Sequence, residues 1–140
     1  MIGLGLTGTP IAHKFSQSGA KLRVWNRDQS KSYQLATELD NLYVCRTPCE
    51  IPEGADVTIL MVTDADAVDD VFFGAEGNSK GLANNLRPGS LLIDMGTTSV
   101  LKTCAFAAKL KISGSEWFDT PVSGDTTVAE TGTLTNYGRK

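Results

Sequence analysis

Apolar and polar residues follow one another along this chain in short segments of two kinds. In the strand-like kind every second residue is apolar, as Leu22 and Val24 are within residues 21–25. The segment at residues 57–62 is apolar almost throughout, which is typical of a strand buried on both faces of a sheet. Six segments are therefore predicted to be strands: residues 1–2, 21–25, 42–44, 57–62, 91–94 and 117–119.

Apolar residues at helical spacing fill the stretches between these strands. The first predicted helix begins near Leu6 and can end at Gly19. The helix after the fourth strand has an apolar face, and Thr63 can cap it. Thr98 or Ser99 caps the helix after the fifth strand. The apolar residues predicted on one face of that helix are Leu101, Cys104, Ala105 and Ala108.

This alternation predicts an α/β fold: a doubly wound, mostly parallel Rossmann sheet in three layers, with ligand at the carboxyl ends of the strands. The first strand is shortened, because only Met1 and Ile2 precede a glycine-rich turn. It is central in this topology, so either the chain was trimmed at its N-terminus or the sheet tolerates a short strand there. A polar loop is predicted at residues 74–81, and residues 122–140 favour no single structure.

Composition narrows the class of protein. The 140 residues suffice for one domain, spanning residues 1–140, and 41% hydrophobic with 21% charged residues predicts a globular chain. A net charge of −3 predicts no nucleic-acid partner, and no apolar run is long enough to predict a membrane span. Three cysteines fit reduced thiols and a cytoplasmic location, or an organelle if an upstream targeting segment was lost. Clustered aspartates at residues 64–70 fit a solvated helix, so no metal site is predicted.

The main chemical signal lies in the first eight residues. They contain G-x-G-x-x-G, and a helical pattern and then a strand follow. In a dinucleotide-binding turn the first glycine allows the tight turn, the second admits a pyrophosphate, and the third lets the helix pack closely. The helix would direct its free N–H groups at the phosphates. The alternative is a purely structural turn. The predicted cofactor-binding residues here are Gly3, Leu4, Gly5, Leu6, Thr7 and Gly8.

The residues after the second strand distinguish between the two nicotinamide cofactors. Asn26 stands where many NAD sites place an acid for the ribose hydroxyls, and Arg27 follows it. An arginine can bind a 2′-phosphate through two N–H groups and stack on adenine, and Lys31 adds a second charge. This pattern favours NADP over NAD. The alternative is a solvated helix start, and Asp28 either pairs with Arg27 or caps that helix.

Four segments together resemble one protein family. They are residues 3–12 (GLGLTGTPIA), 24–27 (VWNR), 92–99 (LIDMGTTS) and 119–124 (DTPVSG). In this order they resemble the β-hydroxyacid dehydrogenases, the group of 3-hydroxyisobutyrate dehydrogenase and the glyoxylate/succinic semialdehyde reductases. The cofactor domain of that group is similar to that of 6-phosphogluconate dehydrogenase. The resemblance covers essentially the whole chain.

The resemblance implies further site residues. Val62 and Thr63 would line the adenosine side of the cofactor site, and Thr97 would lie near the nicotinamide. Ser123 and Gly124 match the motif that holds the substrate carboxylate.

Two neighbouring residues depart from the family pattern. Asp125 replaces a second glycine, and its carboxylate would repel a carboxylate substrate unless it points away. Val128 replaces the next glycine. Both changes concern substrate binding more than cofactor binding.

The resemblance implies an oxidoreductase that transfers hydride between NADP(H) and a small 3-hydroxy acid or semialdehyde that carries a carboxylate. In the family, a lysine on a later helix is the general acid/base, and a C-terminal helical domain completes the pocket, often from a partner subunit. We expect both to be absent from these 140 residues, so that the chain has no catalytic residue of its own and binds without turnover. Homo-oligomers would form largely through the absent helices. His13 is expected to serve packing or the surface. A non-catalytic dinucleotide-binding module and a poorly folding gene product are the alternatives.

Overall fold

A computed structural model of the chain describes residues 1–74 and 81–138. The helices in these residues are α1 (Gly8–Gln17), α2 (Gln29–Glu38), α3 (Ala65–Phe73), α4 (Val100–Ile112) and α5 (Thr126–Thr131). The strands are β1 (Leu22–Val24), β2 (Leu42–Val44), β3 (Val57–Leu60), β4 (Leu91–Asp94), β5 (Glu116–Asp119), β6 (Val122–Ser123) and β7 (Thr135–Asn136). Short 3-10 helices span Pro48–Glu50 and Leu82–Asn84. The predicted polar loop lies outside the described residues except for its ends.

Two parallel strand groups are joined by a very short central strand. β1 pairs with β2, and β3, β4 and β5 pair in that order, all of them parallel. Ile2 forms parallel bridges to both Trp25 and Leu60, so it lies between β1 and β3. Its N–H donates to the Ile59 carbonyl at 2.8 Å, and the Met61 N–H donates to its carbonyl at 2.8 Å. The sheet order is therefore β2-β1-(Met1-Ile2)-β3-β4-β5, and the doubly wound Rossmann prediction with a shortened first strand is confirmed.

Two separate hydrophobic cores lie on the two faces of this sheet. One surrounds Ile2, Leu60 and Leu92 and includes side chains of α3 and α4. The other surrounds Met1 and Val24 and includes side chains of α1 and α2. Successive residues of a strand point to opposite faces, which is why Met1 and Ile2 belong to different cores. Helices therefore cover both faces, in the three layers predicted.

Acidic and hydroxyl side chains begin several helices. Asp28 caps α2 by accepting the Ser30 N–H at 3.1 Å, which resolves its two predicted roles in favour of capping. Ser99 caps α4 by accepting the Lys102 N–H. The prediction that Thr63 caps α3 is wrong, because the next residue, Asp64, accepts the Ala67 N–H at 2.8 Å. The Thr63 hydroxyl donates instead to the Asp64 carboxylate at 3.2 Å.

The apolar face predicted for α4 is wrong in orientation. Leu101 is 85% exposed, and Cys104, Ala105 and Ala108 are exposed with it. The helix buries Phe106, which is 1% exposed, and Leu110. The Phe106 ring lies 5.2 Å from the Trp117 ring in a stacked arrangement. The larger side chains therefore determine which face meets the sheet, since they bury more apolar area than alanine and cysteine do.

Among the other strand predictions, residues 42–44 and 91–94 match the observed bounds, residues 21–25 shorten to Leu22–Val24, and the strand predicted at residues 117–119 begins one residue earlier, at Glu116. The fourth predicted strand ends at Leu60. Its two faces meet the two cores, Leu60 in one and Ile59 against the other, although Val57 at its start is 41% exposed. The chain after Pro121 forms a small antiparallel pair, β6 with β7, and α5 lies between them. This pair ties the segment to the main sheet, since the Val122 N–H donates to the Met95 carbonyl at 3.4 Å.

Candidate functional site

The glycine turn follows the central strand and has the geometry that its motif requires. Gly3 has a φ of +93°, and a Cβ there would lie 2.1 Å from the Met61 carbonyl oxygen. A Cβ on Gly8 would lie 2.1 Å from the Gly3 carbonyl oxygen, so the start of α1 packs directly on the turn. A Cβ on Gly5 would meet no atom within 4 Å. The outer two glycines therefore permit close packing, and the middle one faces open space.

The beginning of α1 leaves backbone donors free. Among the described residues, the N–H groups of Leu6, Thr7 and Gly8 have no hydrogen-bond partner, and the intrahelical bonds start with Thr9 N–H to the Gly5 carbonyl at 3.1 Å. Thr7 is the N-cap residue, and its side chain makes no capping bond. A helix start with free N–H groups beside open space at Gly5 can accept an anion such as a pyrophosphate.

Asn26 connects the glycine turn to the segment after β1. Its Oδ1 accepts the Leu4 N–H at 2.9 Å, and its Nδ2 donates to the Asp28 carbonyl at 2.9 Å. Both ends of the amide therefore bind the chain's own backbone. Asn26 therefore holds the glycine turn in place, and the side chain of the neighbouring Arg27 is available to contact a ligand.

A cavity of about 470 Å³ lies at the carboxyl ends of β1, β2 and β3. It brings together seven of the residues predicted from the sequence: Gly3, Gly5, Asn26, Arg27, Lys31, Val62 and Thr63. Leu4 is instead buried in the core, and the exposed side chain of Leu6 lies outside the lining together with Thr7 and Gly8.

The cavity carries positive charge that no acid neutralises directly. Among the described residues, Arg27 and Lys31 form no ion pair. Hydrogen bonds from the Ser30 hydroxyl and N–H lower the pKa of Asp28, which keeps that carboxylate ionised and occupied as the cap of α2. The Ala67 N–H likewise lowers the pKa of Asp64. Lys31 attracts the Asp28 carboxylate and Arg27 attracts the Asp64 carboxylate, but neither cation forms an ion pair within the described residues, so both can still bind an anionic ligand.

Several lining residues were not predicted from the sequence. They are Trp25, Asp28, Arg46, Thr47, Pro48, Met61, Ala67, Asp70, Val71 and Gly74. Arg46, Thr47 and Pro48 follow β2 directly. Ligands bind at the carboxyl ends of parallel strands, and this rule applies to β2 as well as to β1. It could therefore have predicted these three residues from the end of the β2 segment.

Thr97 lies on a turn that a buried carboxylate organises. Asp94 accepts the Gly96 N–H at 2.9 Å and the Thr98 hydroxyl at 2.7 Å. Burial raises the pKa of Asp94. A Cβ on Gly96 would lie 2.7 Å from the Val62 carbonyl oxygen, so this turn packs against the end of the preceding strand. Thr97 is exposed at the tip of the turn, next to the cavity but outside its lining.

Ser123 and Gly124 lie at the end of β6, also outside the cavity. Ser123 is exposed and pairs with Thr135. Gly124 has a φ of +145°, and a Cβ there would lie 2.8 Å from a Leu134 methyl carbon, so only glycine fits easily. Asp125 is the N-cap of α5 and accepts the Val128 N–H at 2.9 Å. Its carboxylate is therefore directed toward its own helix.

The described residues give little support to a catalytic histidine, a metal site or a membrane span. His13 Nε2 lies 3.1 Å from the Glu38 carboxylate, which places this histidine between α1 and α2 in a packing role. Residues 1–74 and 81–138 contain no group of three or more side chains able to hold a metal ion. Within the same residues, no helix has the length and apolar character needed to cross a bilayer.

The family model described as the NAD binding domain of 6-phosphogluconate dehydrogenase matches residues 1–137. The chain belongs to this family. The match extends from the glycine turn to β7, so it includes the cavity, Thr97 and the Ser123–Gly124 motif. It confirms the Rossmann fold and the resemblance that the four sequence motifs indicated.

Named relatives are similar over nearly all of this chain. The 2-hydroxy-3-oxopropionate reductase of Escherichia coli (strain K12) is 33% identical, over 95% of this chain and 43% of that protein. The chloroplastic glyoxylate/succinic semialdehyde reductase 2 of Arabidopsis thaliana is 30% identical, over 95% of this chain and 36% of that protein. The cytokine-like nuclear factor N-PAC of Homo sapiens is 31% identical, over 95% of this chain and 23% of that protein.

Solved structures share the fold closely. Psf3 in complex with NADP+ and 2-OPP is 25% identical with a TM-score of 0.87, over 98% of this chain and 46% of that one. The 3-hydroxyisobutyrate dehydrogenase of Mycobacterium tuberculosis with L-serine is 26% identical with a TM-score of 0.86, over 98% of this chain and 44% of that one. The chain thus spans less than half the length of these relatives.

Proposed function

We propose that this chain binds NADP in the cavity at the carboxyl ends of β1, β2 and β3, as the cofactor domain of an oxidoreductase. The observation that carries the proposal is the cavity itself, which places the open face of Gly5 and the unpaired cations Arg27 and Lys31 around one space. The NADP+ complex of Psf3 and the reductase names of the relatives support the same assignment.

The chain's own groups would divide the work of holding the cofactor. The free N–H groups at the start of α1 would bind the pyrophosphate, because nothing fills the space at Gly5. Arg27 would bind the 2′-phosphate through its planar fork of donors, and Lys31 would add charge. Val62 and Thr63 would border the adenosine. When bound, the cofactor supplies or accepts the hydride.

At the other end of the site we propose a small carboxylate substrate, a 3-hydroxy acid or semialdehyde, held near Ser123 and Gly124. The Ser123 hydroxyl is exposed and can donate to a carboxylate, and Thr97 lies on the neighbouring turn. The Asp125 carboxylate is engaged by the Val128 N–H as the cap of α5, which would reduce its repulsion of a substrate carboxylate at Ser123. The proton that accompanies hydride transfer would be handled by a lysine outside these 140 residues, and the chain alone would bind without turnover.

Calorimetric titration of the 140-residue chain with NADPH and NADH tests the cofactor assignment. We expect tighter binding of NADPH, and we expect Arg27→Ala to remove most of that preference, about a tenfold effect or more for a charged hydrogen bond. Lys21→Ala is the matched control, since Lys21 is exposed at the opposite end of β1. Failure to bind either dinucleotide, or an unchanged preference in Arg27→Ala, would contradict the proposal.

A non-catalytic dinucleotide-binding module is the second candidate. The similarity to N-PAC favours it, because that relative is named as a nuclear factor and not as an enzyme. The coding sequence after Lys140 distinguishes the two. A following helical domain with a lysine facing the Ser123 end would support the oxidoreductase, and NADPH oxidation by that longer protein with small semialdehydes would test it directly. A longer protein that binds NADPH but oxidises it with no such substrate would support the module.

A further inference from the structure

Arg46 lines the same cavity as Arg27 because β1 and β2 are parallel and their ends are paired. Val24 pairs with Val44, and the Cys45 N–H donates to the Val24 carbonyl at 2.8 Å. The chain therefore leaves both strands at the same edge of the sheet, and Arg27 and Arg46 both line the 470 Å³ cavity there. This placement follows from the pairing of the strands and not from any spacing within one segment of sequence.

The charge on Arg46 is also uncommitted. Among the described residues its guanidinium forms no ion pair. Glu50, the acid closest to it in sequence, uses its carboxylate oxygens for the Arg46 backbone N–H at 3.2 Å and the Thr47 hydroxyl at 3.1 Å. The lining thus contains three cations, with Lys31 as the third, against two acids, Asp28 and Asp70. Asp28 keeps its charge and Asp70 belongs to α3, so the β1–β2 side of the cavity carries three positive charges against one negative charge.

Resting on the NADP binding proposed above, we propose that Arg46 is a second guanidinium for the 2′-phosphate and a determinant of NADP specificity. The pyrophosphate belongs at the glycine turn after Ile2, and β1 separates that turn from β2. Neighbouring strands lie about 5 Å apart, so the strand that precedes Arg46 runs about 10 Å from the strand that precedes the turn but about 5 Å from the strand that precedes Arg27. An anion near Arg46 is therefore the 2′-phosphate, whose three outer oxygens can accept from guanidinium groups on two sides.

Titration with adenosine 2′,5′-bisphosphate and with adenosine 5′-monophosphate tests this contact without any reaction. The two probes differ only in the 2′-phosphate, so the ratio of their affinities isolates its recognition. We expect Arg46→Ala to weaken the bisphosphate about tenfold and to leave the monophosphate within about twofold. Arg46→Lys should lose about threefold, because a lysine keeps the charge but not the fork of donors. Lys21→Ala again serves as the control for a lost positive charge.

The substituted side chain is exposed, so thermal unfolding of Arg46→Ala should match the wild-type chain. If Arg46→Ala leaves the ratio of the two affinities unchanged, either because neither probe binds more weakly or because both lose affinity equally, the role of Arg46 is overturned while NADP binding through Arg27 still stands. Absence of binding of either probe and of NADPH to the wild-type chain would overturn the proposed function and this inference with it.

Discussion

Replacing the first and the middle glycine of the turn, one at a time, separates folding from binding. At Gly5 an added methyl group meets no atom within 4 Å, and the residue has no positive φ, so Gly5→Ala fits the folded chain. Such a change stabilises a protein by about 0.4–1 kcal/mol through the unfolded state. With an unfolding entropy of about 2.1 cal/mol/K per residue, the melting temperature should rise by roughly 1–3 °C. The methyl would nevertheless occupy the space through which a pyrophosphate reaches the N–H groups of α1.

Each charged hydrogen bond lost is worth about 1.5–3 kcal/mol, so Gly5→Ala should weaken NADPH binding by roughly 10- to 150-fold. Gly3→Ala provides the contrast. Its φ of +93° and a Cβ only 2.1 Å from the Met61 carbonyl oxygen force the central strand to move. We expect a loss of at least about 3 kcal/mol of stability, or a melting temperature roughly 10 °C lower.

Differential scanning fluorimetry and calorimetric titration of the two variants give both quantities. The reasoning fails if Gly5→Ala binds NADPH as tightly as the wild-type chain, because the turn would then not be the phosphate site. It fails in a different way if Gly3→Ala unfolds at the wild-type temperature, because the packing of the turn against Met61 would then be incorrect.

Two further predictions concern stability. Phe106→Ala should lower the free energy of unfolding by about 3–5 kcal/mol and Leu101→Ala by less than about 0.5 kcal/mol, because only Phe106 is buried. Urea unfolding of both variants checks this, and the reverse order would mean that α4 presents its other face to the sheet. The stability of Asp94→Asn relative to the wild-type chain should be more favourable at pH 7 than at pH 4. Burial raises the Asp94 pKa, so the wild-type chain is most stable below the unfolded pKa and loses stability as the pH rises through the folded pKa, whereas an amide does not titrate. Unfolding of both chains at the two pH values checks this, and a difference independent of pH would refute it.

The order of elements was predictable because it depends on local pattern. The strands at Leu22–Val24 and Leu91–Asp94 are short, but each stands between helical patterns, and the alternation alone indicates a parallel sheet. The orientation of α4 was not predictable in the same way. Its sequence is apolar on more than one side, and the choice of face depends on the fit of the Phe106 ring against Trp117, which belongs to a strand beyond the helix. Counting apolar residues gave one leucine, one cysteine and two alanines more weight than the single large ring of Phe106.

The same limit explains what was found and missed in the site. The G-x-G-x-x-G motif contains Gly3 and Gly5. After the next strand, at the expected distance along the chain, come Arg27 and Lys31, so sequence spacing and residue type predicted these cavity-lining residues. Arg46 belongs to no motif, and it lines the same cavity as Arg27 only because two parallel strands end together. Asp125 illustrates the converse. A carboxylate in a substrate motif suggests repulsion, yet here it accepts the Val128 N–H, and that bond depends on where α5 begins.

The structure also divides the site into a formed half and an open half. The adenosine half is a cavity with walls from three strand ends, and its charged groups have defined positions. The other half consists of Thr97 on an exposed turn and Ser123 at the exposed end of β6, with Leu6 81% exposed in the glycine turn and Leu101 85% exposed on α4. Exposed apolar side chains next to polar ones are typical of a surface that another part of a protein covers. Under the function proposed above, the residues that choose among hydroxy acids would belong to whatever covers this surface, while Arg27 and Arg46 would set the choice between NADP and NAD within these 140 residues.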